Sequence, residues 1–187
     1  MTTSTPTSFA TLTGDYTFDT AHSRLGFVAR HAMVTKVRGS FNEFEGSAKI
    51  DGDNPSNSSV ALTIQVASVD TRNEQRDGHL RTNDFLDIEK FPTITFTSTE
   101  IKHLDGDDFE VVGDLTFKDV TKQVTLPLEF QGAATDPFGN QRIGFEGSTT
   151  IVRSDFGVNY NAVLETGGVL VSDKITLEFE ISAIKAA

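Results

Sequence analysis

Apolar and polar residues alternate along several stretches of the chain. Phe109, Val111, Gly113, Leu115 and Phe117 share one side, opposed by Glu110, Asp114, Thr116 and Lys118. Val124, Leu126, Leu128 and Phe130 alternate with Thr125 and Glu129, and Ile175, Leu177, Phe179 and Ile181 with Thr176, Glu178 and Glu180. A period of two is that of a β-strand with one buried face. Strands of this kind, joined by short turns, must turn their apolar faces toward one another, as in a closed barrel or a two-sheet sandwich.

The same pattern predicts strands over Asp15 to Asp19, Ser23 to Arg30, Val37 to Ile50, Ser59 to Val69, Thr93 to His103, Phe109 to Lys118, Gln123 to Gly132, Ile143 to Val152 and Lys174 to Ile184. These candidates suit a barrel of eight strands with one of them split. Asp51-Gly52-Asp53-Asn54-Pro55, Asp105-Gly106-Asp107 and Asp136-Pro137-Phe138-Gly139-Asn140 carry the residues of tight turns. Connections this short predict antiparallel hairpins, because a parallel crossover needs a dozen or more residues.

Between Thr71 and Pro92 the alternation stops. Thr71 and Glu74 have the spacing of a capping box, and Leu80, Phe85, Leu86 and Ile88 form the apolar side of one or two short helices closing one end of the barrel. Thr82 or Asn83 is the second cap, and Phe91-Pro92 the stop. A shorter helix is expected over His31 to Thr35. Residues 1–13, opening on a Thr-, Ser- and Pro-rich run, predict a disordered tail ahead of a single domain over residues 14–187.

Composition narrows the chemistry. The chain has no cysteine, which removes disulfides, thiolate nucleophiles and cysteine-ligated metal. A net charge of −11 without a cluster of Lys or Arg argues against nucleic acid as a partner. No stretch is long and apolar enough to span a membrane, and no leader is visible, so a cytoplasmic location is expected. There is no nucleophile elbow or phosphate loop. Asp19, His22 and Ser23 are adjacent, but adjacency in a strand does not position a triad, so no enzyme is expected. His22 reads instead as a hydrogen-bonded residue at a bend. The histidines His22, His31, His79 and His103 lack ligand spacing, so no metal and no cofactor is expected, a haem- or metal-binding barrel being the lesser alternative.

Several segments carry a resemblance. Asp19-Thr20-Ala21-His22-Ser23, His31-Ala32-Met33-Val34, Arg76-Asp77-Gly78-His79-Leu80, Asp84-Phe85-Leu86-Asp87, Phe91-Pro92-Thr93-Ile94-Thr95-Phe96, the run Gly113 to Lys122 and Arg153-Ser154-Asp155-Phe156-Gly157 together resemble the YceI-like family of lipid-binding proteins. The likeness runs from about Tyr16 to Ile184. It implies an all-β, extended lipocalin-like, eight-stranded antiparallel barrel whose long apolar cavity binds a polyisoprenoid or another long-chain amphiphile. Members of that family are often exported.

The inward faces agree with such a cavity: Leu25, Phe27, Phe41, Leu62, Ile64, Ile94, Phe96, Leu115, Phe117, Leu126, Ile143, Phe145 and Ile151 are all apolar. At about 0.8 kcal/mol per buried methylene, roughly ten methylenes only offset the cost of association, and a micromolar complex needs about twenty. The guest is therefore expected to be long. The ligand-binding residues expected are Phe27, His31, Phe41, Leu80, Phe85, Ile94, Phe96, Leu115, Phe117, Phe145, Arg153, Phe156 and Tyr160. Arg153, in phase with Thr149 and Ile151, would meet a headgroup together with Arg30, His31, Asn159 and Tyr160; the competing reading has Arg153 pairing with a carboxylate and fixing a loop. The alternatives to a prenyl ligand are a fatty-acid-type amphiphile and a filled-core interaction module. A free strand edge would support a homodimer.

Overall fold

The computed structural model describes residues 9–162, 164–165 and 168–186. Its strands are β1 (Gly14–Phe18), β2 (Arg24–His31), β3 (Thr35–Phe41), β4 (Phe44–Ile50), β5 (Ser59–Gln65), β6 (Val69–Asp70), β7 (Thr93–His103), β8 (Asp108–Phe117), β9 (Val120–Thr135), β10 (Gln141–Val152) and β11 (Lys174–Lys185), with helix α1 over Glu74–Leu80. β1, β4, β5, β7, β8, β9, β10 and β11 pair in that order and β11 returns to β1, which closes an eight-stranded antiparallel barrel. The alternating faces of β8, β9 and β11 point their apolar side inward, as the sequence predicts.

The remaining strands explain why that barrel is extended. β11 pairs with β1 through Ala183 to Lys185 and with β2 through Thr176 to Glu180. β1 and β2 therefore lie end to end along one long neighbour. β4 and β3 follow them in the same way, as do β5 and β6. The strand expected over Val37 to Ile50 is thus broken at Asn42-Glu43, and the one over Ser59 to Val69 at Val66–Ser68. At each break the inward parity shifts: Val37, Gly39 and Phe41 give way to Phe44, Gly46 and Ala48, and Val60, Leu62 and Ile64 give way to Val69.

β6 has no ladder to β7 among the described residues, and the segment 71–92 lies across this gap. The expected capping box is replaced by an Asn73 cap whose side chain accepts the Arg76 N–H. Thr71 has a different task. Its N–H and hydroxyl both donate to the buried Asp77 carboxylate at 2.8 and 2.6 Å, while Arg76 donates to the Thr71 hydroxyl and carbonyl at 2.7 Å each. A second helix over 82–91 does not form; turns closed by the Thr82 and Asp87 carbonyls take its place, with Asp87 in the left-handed region. Leu80, Leu86 and Ile88 pack there onto buried Val66, Phe85, Phe117, Phe156 and Val158, sealing the helical end.

The helix expected over His31 to Thr35 is instead a hairpin loop, because His31 and Thr35 are paired across β2 and β3 and Ala32 and Met33 both adopt positive φ, 51° and 60°. At the opposite end of the barrel, residues 9–13 of the expected tail pack onto the barrel, while residues 1–8 of it lie outside the described residues. Phe9 lies edge-on to His103, Phe109 and Phe130 at 5.4 Å each, and Leu12 packs beside it. The Tyr16 hydroxyl donates to the Leu12 carbonyl at 2.8 Å, and a Cβ on Gly52 would collide with the Phe9 carbonyl, so only glycine lets this segment lie flat.

Candidate functional site

The barrel is hollow. A cavity of about 240 Å³ runs from Phe9, Leu12 and Ile50 at one end to Phe117, Ile151 and Phe156 below the helical end. Side chains that line it, including Leu62, Ile64, Ile94, Leu115, Leu126 and Leu128, are only half-buried although they face inward. The largest side chains under 2 % exposed, Tyr16, Val66 and Val69, all lie outside the lining. In a filled core that distribution would be inverted, since interiors normally interdigitate without voids of this size.

The lining is apolar, and it contains no Lys, Arg or His among the described residues. Its polar members are Glu178, which lies 3.4 Å from Arg24, and, at the Phe9 end, Asp51 and Ser58. Asp51 accepts the backbone N–H groups of Asp53 and Asn54, and the Ser58 hydroxyl accepts that of Asp51. These groups are committed to their own turn. Such a cavity offers dispersion and desolvation to a slender apolar chain and little to a polar metabolite.

Of the expected ligand-binding residues, Phe41, Ile94, Phe96, Leu115, Phe117, Phe145 and Phe156 line the cavity. Phe27 does not; its ring packs against Phe41 at 5.6 Å and covers Gly39. Leu80, Phe85 and Tyr160 belong to the packed seal, where Phe85 and Tyr160 stand 5.0 Å apart and His79 lies 5.1 Å from each. Lys118 donates to the Phe85 carbonyl at 3.0 Å and pins the seal to the β8–β9 hairpin.

The expected headgroup cluster does not form at the cavity. His31 is exposed on the β2–β3 hairpin. Arg153 is 7 % exposed, but β10 ends at Val152 and the following turn carries its side chain onto carbonyls: Nε donates to Ser172, Nη1 to Val158 and Nη2 to Val171, at 2.9, 2.9 and 3.4 Å. Burial lowers its pKa, and no carboxylate is within ion-pair distance among the described residues. Arg153 fixes a loop, as in the competing reading, through carbonyls rather than a carboxylate.

Lining residues outside the expected set include Phe9, Leu12, Ile101, Leu128, Phe179 and Ile181. Leu128, Phe179 and Ile181 were signalled by the same alternation. Phe9 and Leu12 had only their spacing of three within a Thr- and Ser-rich run.

On the outer surface, Asp19 accepts from Arg142 and pairs with His22, both at 2.6 Å, and Arg142 donates to Asp136 at 2.8 Å. The Arg142 guanidinium is the main reason both carboxyls are held low, Asp136 at about 2. His22 is thus the hydrogen-bonded residue at a bend that its neighbours suggest. Ser23 faces the Ser182 backbone instead of His22. Among the described residues no group of three His, Cys, Asp or Glu gathers as metal ligands, and no helix is long and apolar enough to cross a membrane.

Residues 16–183 match the YceI-like domain. The chain is 39 % identical over 170 residues to UPF0312 protein SAS2572 of Staphylococcus aureus, covering 90 % of this chain and 95 % of that one. Its fold is similar to that of Burkholderia cenocepacia BcnA, with a TM-score of 0.78 and 27 % identity over 88 % of this chain and 98 % of BcnA. The same fold, at 17 % identity and a TM-score of 0.68, covers 91 % of this chain and 98 % of a polyisoprenoid-binding domain from Saccharophagus degradans. On the reach of the domain match and the staphylococcal likeness, the chain belongs to the YceI-like family.

Proposed function

We propose that this protein binds and carries a long apolar lipid of the isoprenoid type inside its barrel, without catalytic chemistry. The observation that carries this reading is the cavity: a continuous apolar lining whose inward leucines and isoleucines pack along the barrel wall but stay half-buried toward the unfilled space. Leaving such surface uncovered forfeits dispersion contacts that a threaded chain would restore. A slender, branched prenyl chain suits a barrel of this strand number, which has room for one small ligand. The Saccharophagus domain of the same fold is described as polyisoprenoid-binding, which supports the ligand class.

The reading gives no role to a charged headgroup partner inside the barrel. Affinity is expected to follow chain length and to vary little among alcohol, carboxylate and phosphate ends. Native mass spectrometry of the purified protein, followed by organic extraction, tests the reading. A stoichiometric prenyl lipid supports it. An acyl lipid in that place would keep the carrier and change its cargo, while a bare chain that refuses added prenyl and acyl lipids would overturn the carrier itself.

A further inference from the structure

The chain is acidic overall, with 27 Asp and Glu against 16 Lys and Arg, yet the stretch from Thr20 to Asn42 contains no acid at all. That stretch folds into the β2–β3 hairpin, and its tip carries two of the exposed large apolar side chains, Met33 at 60 % and Val34 at 74 %. Directly behind the tip, Arg30 stands opposite Lys36 across the ladder, and Arg38 follows Lys36 on the same face. All three are exposed, and none is within ion-pair distance of a carboxylate among the described residues. Arg24, lower on the hairpin, does have a partner in Glu178 at 3.4 Å.

Each of these features is unfavourable in an isolated protein. Like charges directly opposite in a ladder repel. Exposed apolar residues at a hairpin tip are wasted in water, and Ala32 and Met33 hold a left-handed conformation that Asn or Gly would adopt with less strain. One partner relieves the repulsion and the apolar exposure together. An apolar tip flanked by a cationic collar is complementary to an anionic phospholipid surface, where the side chains of the tip enter the acyl boundary and the collar meets the phosphates. A nucleic acid or acidic protein would answer the charge but not the apolar tip.

We infer that the β2–β3 hairpin is a docking surface for anionic lipid membranes, through which the carrier meets the bilayer that supplies or receives its cargo. The purpose rests on the lipid-carrier reading; the docking chemistry stands on the hairpin alone. The hairpin belongs to the extension beyond the closed barrel, and Phe27 on its inner face packs against the cavity residue Phe41.

Sedimentation of the full chain with vesicles tests this, comparing phosphatidylcholine alone with a mixture containing one-third phosphatidylglycerol. Binding to the anionic vesicles is expected, falling with added salt and by about fivefold for each of Lys36→Gln and Arg38→Gln. Met33→Ser with Val34→Ser should weaken it as well, with unchanged unfolding midpoints because all four side chains are exposed. No preference for the anionic vesicles would overturn the inference. So would binding that survives the serine pair and is displaced by soluble polyphosphate, which would mark a polyanion site instead. Native mass spectrometry of the same samples separates the two proposals: cargo retained without vesicle binding defeats the docking surface alone, and vesicle binding by a chain that takes no lipid defeats the carrier alone.

Discussion

The two apolar regions of this barrel are made from the same residue types and packed in opposite ways. At the helical end Val66, Phe85, Phe117, Phe156 and Val158 are all buried, and their neighbours pack against them. In the shaft, Leu62, Leu126, Leu128 and Ile181 stay half-buried around an unfilled cavity. The first arrangement contributes stability through transfer and close packing. The second leaves part of that stabilisation unrealised until a guest supplies the missing contacts. Apolar inward faces alone do not distinguish a core from a binding site; the packing between them does.

The largest expected effect is at the seal. Phe85→Ala should lower the unfolding free energy by about 4 kcal/mol in urea titrations, because the ring sits in a filled cluster; a loss below about 1 kcal/mol would mean that the seal is as loose as the shaft. Arg153→Ala should cost about 3 kcal/mol by leaving the carbonyls of Val158, Val171 and Ser172 without their charged donor. Ligand selection among different headgroups should not change, and a changed selection would return Arg153 to the binding site.

Paired enlargements probe the contrast from the other side. Val66→Phe in the seal should cost about 2 kcal/mol by overpacking, whereas Leu126→Phe in the shaft should move stability by less than about 1 kcal/mol while weakening lipid binding by about tenfold. Equal penalties would dissolve the distinction between the regions.

The smallest effect lies on the outer surface. Asp136 titrates at about 2 in the folded protein against an ordinary 3.8, so its contribution is complete above pH 3.8 and is lost as pH falls through about 2. Arg142→Gln should therefore be less stable than the parent at neutral pH, with the gap closing toward pH 2 in urea titrations. A gap that persisted would place the role of Arg142 in packing rather than in charge.

Most of the fold was legible because burial on one face imposes a period of two, which β8 and β11 keep along their length and β9 keeps as far as the bulge at Gln131. The breaks at Asn42-Glu43 and Val66–Ser68 were read through as continuous strands; the change of parity from Phe41 to Phe44 and from Ile64 to Val69 was their signal, and a continuous apolar count hides it. The β2–β3 turn was not legible, since Ala32 and Met33 lack the Gly or Asn that such φ values favour. In the site, six of the expected residues line the cavity from strands, where phase fixes direction, and Phe156 joins them from the turn after β10. Arg153 and Phe85 misled for one reason: each follows the end of regular structure, where phase no longer predicts where a side chain points. The Phe9 segment had no period to read.

The most direct test of a hollow shaft built for a chain is the dissociation constant measured over a series of prenyl and acyl alcohols of increasing length. Affinity should rise by up to about fourfold per added methylene until the cavity is filled, and then level off. An affinity independent of length would contradict the account, because an interior without a length-dependent guest is a core and not a carrier.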